Sequence, residues 1–368
     1  MTNQFVWANV VHRPMRTAVS VLAISLEVVM ILMVVGVTRG MVVDSANRQK
    51  GLGADIYVQP SSAPAMFTTA SVVMEMSDRD KIASLPGIKA IAPVLYLLNT
   101  RNGFGLIYGT DLHSFNAVNG GFEFLSGAPF SSPAAEEMII DDLFAASNRL
   151  KVGDTFLLKD RPFKICGVVR HGKGARCYVP LSTLQAMEVK EGKISLILVK
   201  VESPGQVDSV MAGIKNALPG YSAISAREMF SMVMNNKIPA LDVFINVVVT
   251  VSVIIGAFAI FLSMYTTISE RTRDIGILKS LGASKRYIVD VILRESITLC
   301  LMGLIVGVFI TVIGRVVIHA QFPTQQVIFS IPWVFRAGIL VMVSGILGAL
   351  YPAIRAAKKD PIAALSTI

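Results

Sequence analysis

Charge is scarce in this sequence. Only 16% of its 368 residues are charged, where a soluble globular chain carries about 25%, and 53% are hydrophobic. An ordinary soluble domain is thereby excluded, and the composition is that of a membrane protein. Cysteine is also rare: 3 residues, too few for a disulfide-built scaffold. The 4 histidines, His12, His113, His171 and His319, show no metal-ligand spacing, and no Ser-His-Asp or Cys-His constellation can be assembled from local patterns. A nucleotide loop is almost present. Gly167-Val168-Val169-Arg170-His171-Gly172-Lys173 follows the phosphate-binding pattern, but Gly174 stands where Ser or Thr would hold Mg²⁺. The paired acids Glu136-Glu137 and Asp141-Asp142 read as solvated loop and helix-start charges. Nothing here points to bond chemistry, a cofactor or a metal in this chain.

What the sequence has is apolar length. Residues 18–37, 243–263, 297–317 and 333–353 each supply the roughly 20 apolar residues that cross a bilayer as helix. The first follows Arg13 and Arg16 but exceeds a signal-peptide core, and no small-x-small site follows it, so it reads as a retained anchor. Basic residues crowd one side: Arg13 and Arg16; Arg271, Arg273, Lys279, Lys285, Arg286 and Arg294; Arg355, Lys358 and Lys359. The short loop 320–332 has none, so the bias of basic residues places both termini in the cytoplasm. Topology thus explains much of the formal net charge of +9 without nucleic acid. Arg39, Arg315 and Arg336 lie near the outer ends and would snorkel to the headgroups.

This divides the chain into an amphipathic cytoplasmic helix anchored by Trp7 (1–16), span one (17–39), an extracytoplasmic domain (40–238), span two with its stalk (239–268), a cytoplasmic coupling segment (269–293), span three (294–319), an outer loop (320–331), span four (332–354) and a cytoplasmic tail (355–368). In the insert, runs 55–59, 88–96, 105–108, 138–140, 155–158, 163–169 and 195–201 read as strands. Segments 78–84, 141–148, 182–187 and 206–218 read as helices, with Ser77 and Ser182 as N-caps and Pro219-Gly220 as a stop. An α+β domain of two lobes is expected. Residues 61–69, rich in Ser, Ala and Pro, read as a loop, and Met66, Phe67, Met74 and Met76 as an adaptable apolar surface, a core or a membrane-facing patch. Cys166 and Cys177 flank Arg170–Lys173 symmetrically. A hairpin there would face them across two strands, either as a disulfide or as two small buried residues.

Two features carry functional information. Glu27 sits mid-span, where an ionised carboxylate costs at least about 2.5 kcal/mol. It reads as a substrate contact or protonation site, or as a protonated acid bonding between helices. The second feature is the segment between spans two and three, in which Glu270, Arg271, Arg273, Asp274 and Lys279 alternate with Ile275, Ile277, Leu278 and Leu281. A merely solvated loop rarely mixes apolar and charged residues so densely. The apolar set would plug a groove on a partner, with the basic residues on its rim. Gly276 and Gly282 would let the chain turn, and Ser284 would cap the helix into span three.

The segment Glu270-Arg271-Thr272-Arg273-Asp274-Ile275-Gly276-Ile277-Leu278-Lys279-Ser280-Leu281-Gly282-Ala283-Ser284 resembles the E-R-T-[RK]-E-I-G-I-x-[KR]-A-[LI]-G-A-[ST] signature of MacB/FtsX-type ABC transporter permeases. Asp274 replaces the commoner Glu and Ser280 the commoner Ala. Arg294-Glu295-Ser296 with Gly303 and Gly307, Tyr351-Pro352-Ala353 through Ala357, and Asp360 through Leu365 are similar to further patterns of that family, as is the order of spans around a large insert. More weakly, Leu150 through Thr155 and Tyr178 through Thr183 resemble its extracytoplasmic core domain. The resemblance implies a non-catalytic subunit that couples to a separate cytoplasmic ATPase holding the ATP and Mg²⁺, since no Walker motif stands in these residues. It also implies a bacterial cytoplasmic (inner) membrane and a homodimer or related heterodimer, with Gly36 and Gly256 allowing close approach. Lipid contact and a periplasmic adaptor would go with export or extraction of a hydrophobic or peptide-like cargo by mechanotransmission. The alternatives are an FtsX-like signalling permease acting on a cell-wall enzyme and a membrane-anchored binding module without an ATPase.

Overall fold

The computed structural model describes residues 14–61, 73–99, 105–234 and 239–359. The amphipathic segment 4–12, most of the 61–69 loop with Met66 and Phe67, Asn235 of the stalk and the 360–365 pattern lie outside them. In chain order the helices are α1 (Pro14–Gly51), α2 (Met76–Ala83), α3 (Leu112–Asn119), α4 (Asp142–Asn148), α5 (Leu181–Met187), α6 (Val207–Ala217), α7 (Ala226–Met234), α8 (Pro239–Glu270), α9 (Thr272–Ser280), α10 (Lys285–Gln321) and α11 (Ile331–Lys358). The strands are β1 (Ile56–Pro60), β2 (Met74–Glu75), β3 (Ile88–Asn99), β4 (Gly105–Thr110), β5 (Phe124–Gly127), β6 (Glu137–Asp141), β7 (Thr155–Leu158), β8 (Arg161–Val169), β9 (Cys177–Pro180), β10 (Lys193–Ile194), β11 (Leu196–Val201) and β12 (Tyr221–Ser225). They fall into two compact units, one drawn from Met1–Gly40, Pro239–Ala320 and Gln326–Ile368, the other from Met41–Ile238 with Gln321–Gln325.

The first unit is a helix bundle. α1, α8 from Leu241, α10 and α11 are each long and apolar enough to cross a membrane. Ile24, Val28 and Ile31 of α1, Ile260 and Met264 of α8, Leu299 of α10 and Val341 of α11 meet in one apolar core. Small residues let the axes close up. Gly307, four residues after Gly303, lies against α1, where an added Cβ would stand 2.6 Å from the Val28 Cβ. Gly36 and Gly256 are likewise spent inside the chain: a Cβ on Gly36 would meet Val327 at 2.9 Å, and one on Gly256 would fall onto the Glu27 carboxylate.

In the second unit ten of the described strands form one mixed sheet in the order β12-β1-β11-β3-β4-β9-β6-β8-β5, with β7 on β8, while β2 and β10 pair separately. The expected lobes share this sheet. Residues 56–110 and 196–225 build one half, residues 124–180 the other, and parallel β4–β9 pairing from Ile107↔Cys177 to Thr110↔Pro180 joins them. One face packs Ile82 of α2, Leu184 of α5 and Val210 and Ile214 of α6. The other packs Phe115 and Val118 of α3, Met229 of α7 and a tyrosine cluster. Cover on both faces explains why β1 and β9 are buried at every position instead of alternating.

The structure corrects several expectations. β6 lies between β8 and β9, so no hairpin joins Cys166 to Cys177. Both thiols are free, and they pack on opposite faces of the sheet. Burial pushes the Cys166 thiol up to about 11, with the Glu137 charge adding to it. The expected caps fail because the preceding strands run straight into their helices: Glu75 and Pro180, neither making a side-chain cap bond, hold the N-cap positions of α2 and α5. True caps are Asp111, accepting from the Ser114 amide at 2.9 Å, and Asp141, accepting from the Phe144 amide at 2.6 Å. Lys173 of the near-nucleotide loop donates instead to the Asn119 carbonyl at 2.9 Å and to that of Gly121.

Candidate functional site

The segment singled out by the sequence forms an elbow and a short helix. α8 ends at Glu270, Arg271 leaves helical geometry (φ −103, ψ 18), and α9 follows. Gly282 supplies the left-handed conformation (φ 92) after α9, and Ser284 accepts a hydrogen bond from the Tyr287 amide at 3.2 Å, capping α10. Gly276 does not turn the chain. It is buried inside α9 and borders the same small pocket as Ile268, Thr272 and Ala356.

The charged residues divide into two groups. Glu270 and Arg271 serve the bundle itself: Arg16 of α1 lies 3.3 Å from Glu295 and 3.7 Å from Glu270, and Arg271 lies 3.8 Å from Glu295. Lys279 donates to the Ala357 carbonyl at 3.1 Å and to that of Lys359, while Lys359 donates to the Thr272 hydroxyl at 3.1 Å, fastening α9 to the end of α11. Arg273 and Asp274 are exposed. The apolar residues divide similarly. Ile275 and Leu278 are half-buried and, with Ile288, Val291 and Ile292, line a cavity of about 230 Å³ that also touches Arg271, Asp274, Tyr287 and Glu295. Ile277, Leu281 and Tyr287 remain 43%, 79% and 41% exposed. The outward apolar surface of this segment is therefore Ile277, Leu281 and Tyr287, bordered by Arg273, Lys285 and Arg286. Glu295 and Arg16 were not read as site residues from the sequence. The signal that could have found Glu295 is an acid standing beside Arg294 at the edge of an apolar run.

Glu27 lies elsewhere in the bundle. It is buried against Gly256, and its Oε2 accepts from the Ser344 hydroxyl at 3.2 Å. One carboxyl thus meets both α8 and α11.

Four spanning helices with an α/β domain inserted after the first define a multi-pass membrane protein. The family model for the MacB-like periplasmic core domain matches residues 17–217, and that for the FtsX-like permease C-terminal region matches residues 246–361. The chain belongs to the MacB/FtsX-like ABC permease family. An ABC transporter permease of Methanocaldococcus jannaschii is 29% identical over 59% of this chain and 58% of its own length. The macrolide export ATP-binding/permease protein MacB of Rhodospirillum rubrum is 24% identical over 95% of this chain and 58% of its own length. The chain thus spans under two thirds of those two relatives. It spans 96% of the permease YknZ of Bacillus subtilis, at 25% identity over 97% of this chain. Among solved structures, the periplasmic region of MacB from Actinobacillus actinomycetemcomitans matches 51% of this chain and 96% of its own, at 16% identity and a TM-score of 0.39.

Proposed function

We propose that the chain is the permease subunit of an ABC transporter, gripped at its basic end by a separate cytoplasmic ATPase and passing nucleotide-driven movement to its inserted domain. The observation that carries this is the exposed surface of Ile277 on α9, Leu281 at its C-terminal end and Tyr287 at the start of α10, with α9 fastened from behind by Lys279 and Lys359. A partner can push on such a helix without unfolding it. Basic residues at that end support a cytoplasmic position for it and for both termini, and the bacterial relatives support a bacterial inner membrane. ATP and Mg²⁺ are held by the partner. Exposed apolar faces of α1 (Leu22, Leu26, Met30) and α8 (Val247, Ile254, Phe258) would meet lipid and a second permease copy, identical or related. The relatives' export names support export or extraction of a hydrophobic or peptide-like cargo, with an adaptor protein a further candidate partner.

The test is capture of the host's soluble ABC ATPases by the detergent-solubilised chain, with Ile277→Glu/Leu281→Glu as the control. These side chains are exposed, so the control keeps its fold. Capture of one ATPase by the wild type and its loss in the control supports the reading. No capture, with or without trapped ATP, overturns it and favours a membrane-anchored binding module.

A further inference from the structure

We infer that Glu295 is a positioning residue that ties the α8–α9 elbow to α1, and so carries movement of the partner-facing segment into the helix that leads to the inserted domain. This rests on the permease reading above. Glu295 projects from α10 and divides its oxygens between two other elements: Oε1 lies 3.3 Å from Arg16 of α1, and Oε2 lies 3.8 Å from Arg271 at the elbow. Arg16 reaches Glu270 at 3.7 Å from its other amino group. The side chains of Glu295, Arg271 and Arg16 are 6%, 14% and 20% exposed, so this is not a solvated surface pair.

Three observations favour transmission over simple fastening. The contacts are unequal: Arg16–Glu295 lies within hydrogen-bond reach, whereas Arg271–Glu295 and Arg16–Glu270 are ion pairs too long for a hydrogen bond. A small shift of the elbow would close the long contacts or open them further. Arg271 and Glu295 also border the 230 Å³ cavity beneath α9, which leaves α9 room to move where a close-packed interior would hold it. Finally, α1 is held by charge at its other end too. Asp44 pairs with Arg176 at 2.9 Å and with Arg48 at 3.0 Å, and Arg176 pairs with Asp141 ahead of α4 at 3.1 Å.

The experiment uses the full permease with its ATPase in lipid nanodiscs and follows hydrogen exchange over Met41–Gly51 with and without trapped ATP. Glu295→Gln, Arg16→Gln, their combination and the milder Glu295→Asp are compared with wild type. A merely structural role would raise exchange without nucleotide and leave the ATP-dependent change intact. Transmission predicts the reverse: the ATPase still co-purifies, nucleotide-free exchange is unchanged, and each Gln variant reduces the ATP-dependent change at least about fivefold. The double variant is then no worse than either single one, and Glu295→Asp is intermediate. A wild-type-sized ATP response in the Gln variants overturns the inference alone, as does additivity of the two substitutions. Failure of the wild type to hold any ATPase instead removes the permease reading, and this inference with it.

Discussion

Glu27 shows how much one residue's surroundings decide. Hydropathy located a carboxyl in the middle of an apolar stretch, and nothing in the sequence could place Gly256 and Ser344 beside it, since they lie far along the chain on other helices. Gly256→Ala should therefore lower thermal stability by roughly 1–3 kcal/mol, as overpacking does, and Glu27→Ala in the same chain should recover part of that loss; melting of the four proteins in one detergent checks it. In the inserted domain the residue scale also sets acid sensitivity. Partial burial pulls Asp78 and Asp111 up, but bonds from Lys81 and Tyr221 to the first, and from Ser114 to the second, outweigh it and hold both below the ordinary aspartate value. A depressed folded-state value means stability that is fully present above the ordinary value and lost as pH falls through the lowered one. The full chain should melt lower in acid, and Lys81→Met should make that loss smaller. An equal acid loss in the variant would refute the assignment to Asp78.

Elements were legible where one physical cause acts alone. Four apolar runs of sufficient length became four long helices. Their ends were not legible, because α1 continues to Gly51 well past its apolar run, with Ala46 buried and Asp44 and Arg48 paired. β1, covered on both faces, reads as an apolar run in the sequence, but β9, equally covered, does not stand out, and the short β2, β5, β10 and β12 and the helix α3 left no comparable signal. Cap prediction failed at Ser77 and Ser182 since it assumed a loop before each helix, where a strand stands instead. It succeeded at Ser284, where the loop is real. Ser284→Ala should cost about 1 kcal/mol and lower the melting temperature without abolishing ATPase capture. Leu281→Glu, at a position 79% exposed, should do the opposite: unchanged melting and lost capture.

At the scale of the molecule, family membership and the order of spans around a large insert were readable in the sequence, because long apolar runs and a dense mixed segment survive without knowledge of contacts. The same reasoning could not see strand order. Symmetric spacing made a Cys166–Cys177 hairpin plausible, yet β6, from thirty residues earlier, takes the place between their strands. The full chain should accordingly migrate identically with and without reductant, and under denaturing conditions three thiols should react with a maleimide, matching the 3 cysteines of the sequence; fewer would revive the disulfide. The sequence by itself determined the membrane class, the four spans and the address of the dense charged and apolar segment between spans two and three, since hydropathy and charge density are local properties. Only the tertiary structure decided which residues of that segment face outward and which face the bundle. Ile275 and Leu278 turn inward, Ile277 and Leu281 stay exposed, and Glu270 and Arg271 are committed to Arg16 and Glu295, because those choices depend on helices brought together from opposite ends of the chain.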